Sequence, residues 1–175
     1  MDLSAKSDRE LQIWIENHEA KSAQSTPLYS QLIGERLRRA RATQLLDLER
    51  SLAHLKEAAV RQTCTTYGDL ATASGIEWSR ARHQMNGTHG HLDRLLDLCR
   101  LQELPLLTAI CVNRQRLAEG ELGDDALDGF AAGAQRLGYT VADAREFHHK
   151  CRDECWTWGR AQGASLPPHP PIENM

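Results

Sequence analysis

A short segment in the middle of the chain carries side chains suited to reading the edges of DNA bases. Arg80, Arg82, His83 and Gln84 follow one another closely after Ser79. Arginine and glutamine can each form two parallel hydrogen bonds with a base edge in the major groove. The segment is therefore a candidate for direct contact with DNA bases.

Two further arginines, Arg114 and Arg116, lie in a polar stretch later in the chain. Basic side chains in such loops commonly contact phosphates, which position a protein on the duplex without reading its sequence. Together with the first segment they form the predicted DNA-contact set, and double-stranded DNA is the predicted partner.

The elements around these residues predict a helix-turn-helix followed by a β-hairpin. A short helix over 68–73 ends at Ser74-Gly75, and a second short helix runs from Glu77 or Trp78 to Met85. After a longer helix, the apolar run 104–113 predicts a strand, and 120–122 could return as its hairpin partner. In a helix-turn-helix the first helix braces the second, whose exposed face enters the major groove. The hairpin would then act as a wing over the DNA backbone.

This central region resembles a known DNA-binding domain. The segments that carry the resemblance are Thr66-Tyr67-Gly68-Asp69-Leu70-Ala71, Ser74-Gly75 and Ser79-Arg80-Ala81-Arg82, followed by Leu104-Pro105. They are similar to the winged-helix domain of alkylguanine-DNA alkyltransferases and alkyltransferase-like proteins, and also to uncharacterised bacterial proteins. The resemblance spans about 65–122, a third of the chain, and implies a winged-helix fold with a DNA-facing surface.

The residues that would transfer an alkyl group are missing from this resemblance. The family carries its acceptor cysteine in a Pro-Cys-His-Arg segment, whereas this chain has Pro105-Leu106-Leu107-Thr108 in that position. The nearest thiol, Cys111, lies within the apolar run, where a cysteine without a basic neighbour stays protonated and inert. The resemblance therefore implies a fold and a binding surface without alkyl transfer.

Two groups of histidines and cysteines are candidates for metal sites. The first is His83, His89 and His91, and the second is His148, His149, Cys151 and Cys155. Neither has the paired spacing of a zinc site, and the two cysteines share an apolar helix face with Phe147. His89 and His91 are expected to be exposed at the start of a helix. The sequence thus predicts no metal, no cofactor and, in the absence of a nucleophile–base signature, no catalytic residue.

The exposed aromatic residues offer a second hypothesis. Trp156 falls outside the apolar face of the last helix, and Trp78 opens the second short helix. Tryptophan is enriched in protein interfaces, so these two residues could mark a contact with a protein partner or a second copy of the chain. The alternative function is therefore a protein-interaction or adaptor module that does not bind nucleic acid.

Helical patterns dominate the rest of the chain. Ser7 and Glu10 have the spacing of a capping box, which predicts that a first helix starts at Ser7, and Thr26-Pro27 predicts the start of a second helix. The fold class predicted is mainly α (α+β), a helical bundle around a winged-helix-like core with one small β-hairpin. The predicted regions are N-terminal helices over 1–62, the winged-helix-like module over 63–122, C-terminal helices over 123–161 and a flexible tail over 162–175. Arginines at the end of the second helix are interpreted as partners of the helix dipole, with a phosphate-contacting patch as the alternative. They are Arg36, Arg38, Arg39 and Arg41.

Composition fits a globular protein of ordinary type. The hydrophobic fraction is 41%, the charged fraction is 26% and the formal net charge is −3. A mildly basic centre precedes an acidic C-terminal part, which permits contact with a polyanion without requiring it. With no apolar run long enough to span a bilayer and a polar N-terminus, the sequence predicts a cytoplasmic protein that does not contact a membrane.

Overall fold

Helices form most of the chain in the computed structural model, which describes residues 2–164. They are α1 (Asp8–Ala20), α2 (Pro27–Arg41), α3 (Leu48–Val60), α4 (Tyr67–Ala73), α5 (Trp78–Met85), α6 (His91–Leu101), α7 (Asp124–Arg136) and α8 (Ala144–Ala164). The described part also contains 3-10 helices at Leu107–Ile110 and Arg114–Arg116, and strands β1 (Thr65–Thr66) and β2 (Cys111–Val112). The prediction of a mainly helical protein is confirmed. Of the tail predicted over 162–175, residues 162–164 belong to α8 and the remainder lies outside the described residues.

The starts of the first helices follow from their capping residues. Ser7 accepts a hydrogen bond from the Glu10 amide, and the Glu10 carboxylate accepts one from the Ser7 amide, as the predicted capping box requires. As expected, Thr26 caps α2: its side chain accepts a hydrogen bond from a backbone amide of the first turn, and Pro27 occupies the first helical position. A second capping box, between Thr66 and Asp69, begins α4 directly after β1. Local sequence therefore fixes where these helices begin.

The predicted β-hairpin is wrong. The two short strands are parallel, with Thr65 opposite Cys111 and Thr66 opposite Val112, and parallel strands cannot be joined by a hairpin. Four of the ten residues of the apolar run 104–113 form the 3-10 helix Leu107–Ile110, two form β2, and 120–122 is not a strand. Every residue from Leu106 to Val112 is at most 5% exposed, because α3, α6 and α8 pack against this segment. A run that is buried on all sides lacks the alternating pattern that would separate a strand from a helix.

The core is held together by a close approach between α3 and α8. Gly159 of α8 lies against the backbone of Ala59 in α3, so that a Cβ placed on Gly159 would be 2.1 Å from the Ala59 carbonyl oxygen. The buried segment 106–112 fills the space beside this helix pair. Buried side chains from the N-terminal, central and C-terminal parts consequently join a single core.

Buried charges connect α2, α6 and α7. Asp97 is fully buried, and its two carboxylate oxygens lie 2.5 Å from a guanidinium nitrogen of Arg36 and 2.7 Å from one of Arg136. Arg136 also lies 3.0 Å from the Asp93 carboxylate and 3.5 Å from that of Glu19. Charges removed from water this far are tolerated only when they are paired. The network therefore ties α2, α6 and α7 together, and through Glu19 it also reaches α1.

The arginines at the end of α2 all contact carboxylates. Besides the pair between Arg36 and Asp97, the pairs are Arg38 and Arg39 with Glu35, Arg39 with Asp8, and Arg41 with Glu49. Their positive charges are thus compensated within the protein, in addition to the expected placement near the helix C-terminus. These pairs favour a structural role for the cluster over phosphate binding.

Candidate nucleic-acid interface

Helices α4 and α5 form a helix-turn-helix on the surface of the bundle. The turn between them contains Gly75, whose φ of +71° is readily adopted by glycine. Ala81 and Met85 of α5 are fully buried and anchor this helix to the core. One side of α5 is therefore packed against the core, and its outward side is held in a fixed orientation.

The outward side of α5 carries three of the six residues of the predicted contact set. Since consecutive residues of an α-helix are rotated by about 100°, His83 points away from buried Ala81, with Arg80 and Arg82 on either side. All three side chains are exposed. In the described part of the chain neither arginine pairs with a carboxylate, and the Arg82 Nε–H donates to His83 Nε2 at 3.3 Å.

Gln84 occupies a different position from the rest of this set. It is half-buried, and its side-chain oxygen accepts a hydrogen bond from the Leu45 amide at 3.1 Å. The side-chain oxygen that would read a base is therefore engaged in a structural contact. This contact joins α5 to the segment that leads into α3.

The parallel strand pair brings Arg114 next to the helix-turn-helix. Parallel strands end at the same edge of a sheet, so the residues after β1, which start α4, lie beside the residues after β2. A groove of about 630 Å³ separates them and is lined by Trp78, Arg114, Asp69 and Glu77 among others. Arg114 therefore lies beside α4 and α5 because β1 and β2 pair in parallel, and not because it belongs to a hairpin wing.

Arg114 and Arg116 are not equivalent within this surface. Arg114 is exposed at the groove and forms no carboxylate pair among residues 2–164. Arg116 lies 3.3 Å from the Glu119 carboxylate, which compensates part of its charge. Glu77 and Asp69 also place negative charge along the groove, so the basic surface is centred on α5 and Arg114.

The two tryptophans proposed as interface residues differ in exposure. Trp78 is 42% exposed at the mouth of the groove. Trp156, in contrast, is partly buried and packs against the core, which corrects the prediction that it is the exposed aromatic. Its helix face is covered because α8 lies against α3, a contact that the periodicity of α8 alone does not indicate.

The cysteines are poor nucleophiles. Cys111 is 1% exposed, and burial raises the pKa of its thiol well above the ordinary value. Cys151 and Cys155 are buried in the core as predicted, and burial raises the pKa of the Cys151 thiol to about 12. None of these three thiols supplies a thiolate near neutral pH, in line with the missing acceptor motif.

The histidine predictions need one correction. His91 is fully buried instead of exposed, and its Nε2 lies 2.8 Å from the Ser51 hydroxyl oxygen in α3. Burial, with a smaller contribution from the charge of Arg94, lowers the pKa of His91 to about 4. His89 is partly exposed. In α8, His148 is fully buried on the same face as Cys151 and Cys155, whereas His149 is partly exposed.

The lowered pKa of His91 predicts a loss of stability in mild acid. In the unfolded chain His91 has its ordinary pKa of 6.5 and is protonated below that pH, whereas in the folded chain it is protonated only near pH 4. The free energy of unfolding therefore falls as the pH drops from 6.5 to about 4. Between pH 7 and pH 5 this one group should lower the free energy of unfolding by about 2 kcal/mol. Urea unfolding of the wild type and His91→Gln at both pH values tests this. An equal pH dependence in the two proteins would contradict it.

A partly enclosed cavity was not predicted from the sequence. It has a volume of about 520 Å³ and lies between α6, α7 and the buried segment, with Leu96 and Phe130 among its apolar walls. The Thr108 hydroxyl lines it and is buried without a hydrogen-bond partner among the described residues.

Comparison with known protein families, with curated proteins and with solved structures found no match. Within the described residues, no helix combines the length and apolar character needed to cross a membrane.

Proposed function

We propose that the protein binds double-stranded DNA through the outward side of α5 and the neighbouring Arg114, as a DNA-associated accessory or regulatory protein without catalytic activity of its own. The observation that carries the proposal is the exposure of Arg80 and Arg82 without a carboxylate partner. Both are exposed on a braced helix and neither is neutralised by a carboxylate in the described chain.

The chemistry of this surface suits a duplex. An α-helix fits the major groove, and arginine is the side chain that most often reads guanine there. Arg114 lies to one side of the same helix-turn-helix, where it could contact a phosphate. Only α4 and α5 support a likeness to a winged helix, since the hairpin that would form the wing is absent from the described residues.

The charge balance predicts modest affinity with a marked dependence on salt. The net charge of −3 disfavours a polyanion overall, so attraction must come from the local surface. Each phosphate contact releases counterions, which makes binding weaken steeply as salt rises. A surface with few arginines should bind tightly only at low ionic strength.

The test is electrophoretic mobility of a generic duplex at low and moderate salt. Arg80→Ala/Arg82→Ala should weaken binding at low salt by about tenfold or more and reduce the slope of the salt dependence by about one for each lost phosphate contact. The control is Arg9→Ala/Arg61→Ala, which removes the same charge from exposed positions outside α4 and α5. Absence of binding by the wild type, or an equal loss in both double variants, would contradict the proposal.

A second candidate function, protein contact, is favoured by the exposure of Trp78. A large aromatic side chain 42% exposed beside a groove is a suitable anchor for a partner protein or a second copy of this chain. If the wild type binds no duplex at low salt but elutes from gel filtration as a concentration-dependent dimer, and Trp78→Ala abolishes the dimer, this alternative is supported.

A further inference from the structure

Three side chains with metal-ligating atoms meet where the segment before α7 packs against α8. Glu121 comes from that segment, and His148 and His149 come from α8. One ligand atom from each residue lies within 4.8 Å of the other two. The Glu121 Oε2 atom is 2.9 Å from His149 Nε2 and 3.9 Å from His148 Nδ1. The group is distinct from the α5 surface and from the buried charge network.

His148 is oriented as a metal-ligating histidine would be. Its Nε2 lies 2.9 Å from the Ala109 carbonyl oxygen, and because a carbonyl only accepts, Nε2 must carry the proton. The Nδ1 atom therefore presents a lone pair toward Glu121. This side chain is fully buried, yet Nδ1 has no hydrogen-bond partner among the described residues. A backbone carbonyl that holds the second ring nitrogen in this way is the usual support of a histidine ligand.

We propose that Glu121, His148 and His149 bind a divalent transition-metal ion of the zinc class through Oε2, Nδ1 and Nε2 respectively. Two imidazoles and one carboxylate are a donor set that zinc accepts, with water completing a tetrahedron. Tetrahedral bonds of about 2.0–2.1 Å place ligand atoms roughly 3.3 Å apart. The separations of 2.9 and 3.9 Å from Oε2 lie on either side of this value, and all three ligand atoms are within 4.8 Å of one another.

The hydrogen bonds of the group indicate which ligand atoms carry protons. His148 Nε2 donates to the Ala109 carbonyl oxygen, so His148 Nδ1 is free to bind a cation. The Glu121 carboxylate accepts a hydrogen bond from Arg152 and lies 2.9 Å from His149 Nε2. Any proton on His149 Nε2 would leave when a metal binds there.

The neighbouring arginines leave Oε2 accessible. Arg152 donates to the other oxygen, Oε1, at 2.9 Å and to the Gly120 carbonyl at 2.7 Å, so it orients the carboxylate without occupying the ligand atom. Arg145 lies 3.6 Å from Oε2 but is 45% exposed and also contacts Asp124 at 3.2 Å. It can stay with Asp124 when the cation enters, since an exposed pair of this kind is weak.

The bound ion would fasten the segment before α7 to α8. The only contacts required are those of the three ligands, so the proposal stands independently of DNA binding. Because His149 is partly exposed, solvent can reach the position of the fourth ligand. The site would therefore be filled or emptied in the folded protein.

The test uses zinc alone on protein freed of metal with a chelator. Isothermal titration of the wild type should show one high-affinity ion per chain, and cobalt should give the visible absorption of a tetrahedral site. Glu121→Gln and His149→Ala should each weaken zinc binding by about tenfold or more. His83→Ala and Glu119→Gln, which alter exposed residues outside the group, should leave it unchanged.

Circular dichroism confirms that each variant is folded, and His148→Ala is avoided because it would leave a hole in the core. Loss of the ion in both ligand variants, with retention in both controls, supports the site. Absence of stoichiometric binding by the wild type overturns the proposal, as does binding that Glu121→Gln and His149→Ala leave intact. Duplex binding plays no part in any of these readouts, so failure here and failure of the DNA proposal are separate results.

Discussion

Asp97→Asn is expected to lower the free energy of unfolding by about 3–5 kcal/mol, the range for breaking a buried ion pair by removing one partner. Asp97 is fully buried, and its carboxylate lies between Arg36 and Arg136. Asparagine has nearly the same size, so the loss comes from the charge and not from a cavity. Two guanidinium groups would then share less negative charge in a region that water does not reach.

Urea unfolding of the wild type and Asp97→Asn measures this effect. The matched control is Asp124→Asn, which also removes a carboxylate paired with an arginine, Arg145 at 3.2 Å. The Asp124 side chain is 91% exposed, so its pair is screened by solvent and its loss should cost about 1 kcal/mol or less. Similar small losses in the two variants would show that the network around Asp97 is not a major source of stability.

Gly159→Ala is expected to destabilise the protein by about 3 kcal/mol or more, at or above the upper end of ordinary overpacking. The added methyl group would lie 2.1 Å from the Ala59 carbonyl oxygen and 2.4 Å from its carbonyl carbon. These are backbone atoms, which cannot turn aside as the end of a side chain can. Helix α8 would have to move away from α3, and the buried segment beside them would lose its packing.

Gly163→Ala is the control for this substitution. It lies one turn further along α8, faces the same helix, and its added methyl group would meet the Val60 side chain at an ordinary 3.6 Å. Alanine is also the better helix former by about 1 kcal/mol, so this variant should be as stable as the wild type or slightly more. Thermal unfolding distinguishes the two, and an unchanged midpoint in Gly159→Ala would contradict the close approach.

Structure that depends on residues close together in the chain could be predicted from the sequence. The pairs Ser7 with Glu10 and Thr26 with Pro27 located two helix starts, because caps act over three or four positions. The break at Ser74-Gly75 between two short helices was also predicted. The strand prediction over 104–113 was largely wrong, since a uniformly buried segment carries no periodicity.

Long-range partners could not be predicted from the sequence. The Arg36–Asp97 pair joins residues 61 positions apart, and His149 and Glu121 are 28 positions apart. For the candidate interface, residue types indicated the exposed arginines of α5, but the engagement of Gln84 by the Leu45 amide depends on how α5 meets the start of α3. The burial of Trp156 likewise depends on the α3–α8 contact.

The parallel pairing of β1 with β2 has a consequence for how the chain reaches its final form. Thr65 and Cys111 are distant in sequence, and two residues of ladder cannot offset the entropy of closing so long a loop. The pairing must therefore follow assembly of the helices that enclose 106–112, and contacts of high sequence separation form slowly. Arg114 is placed beside α4 only by that late step, so incompletely folded chains would expose α5 without its neighbouring arginine.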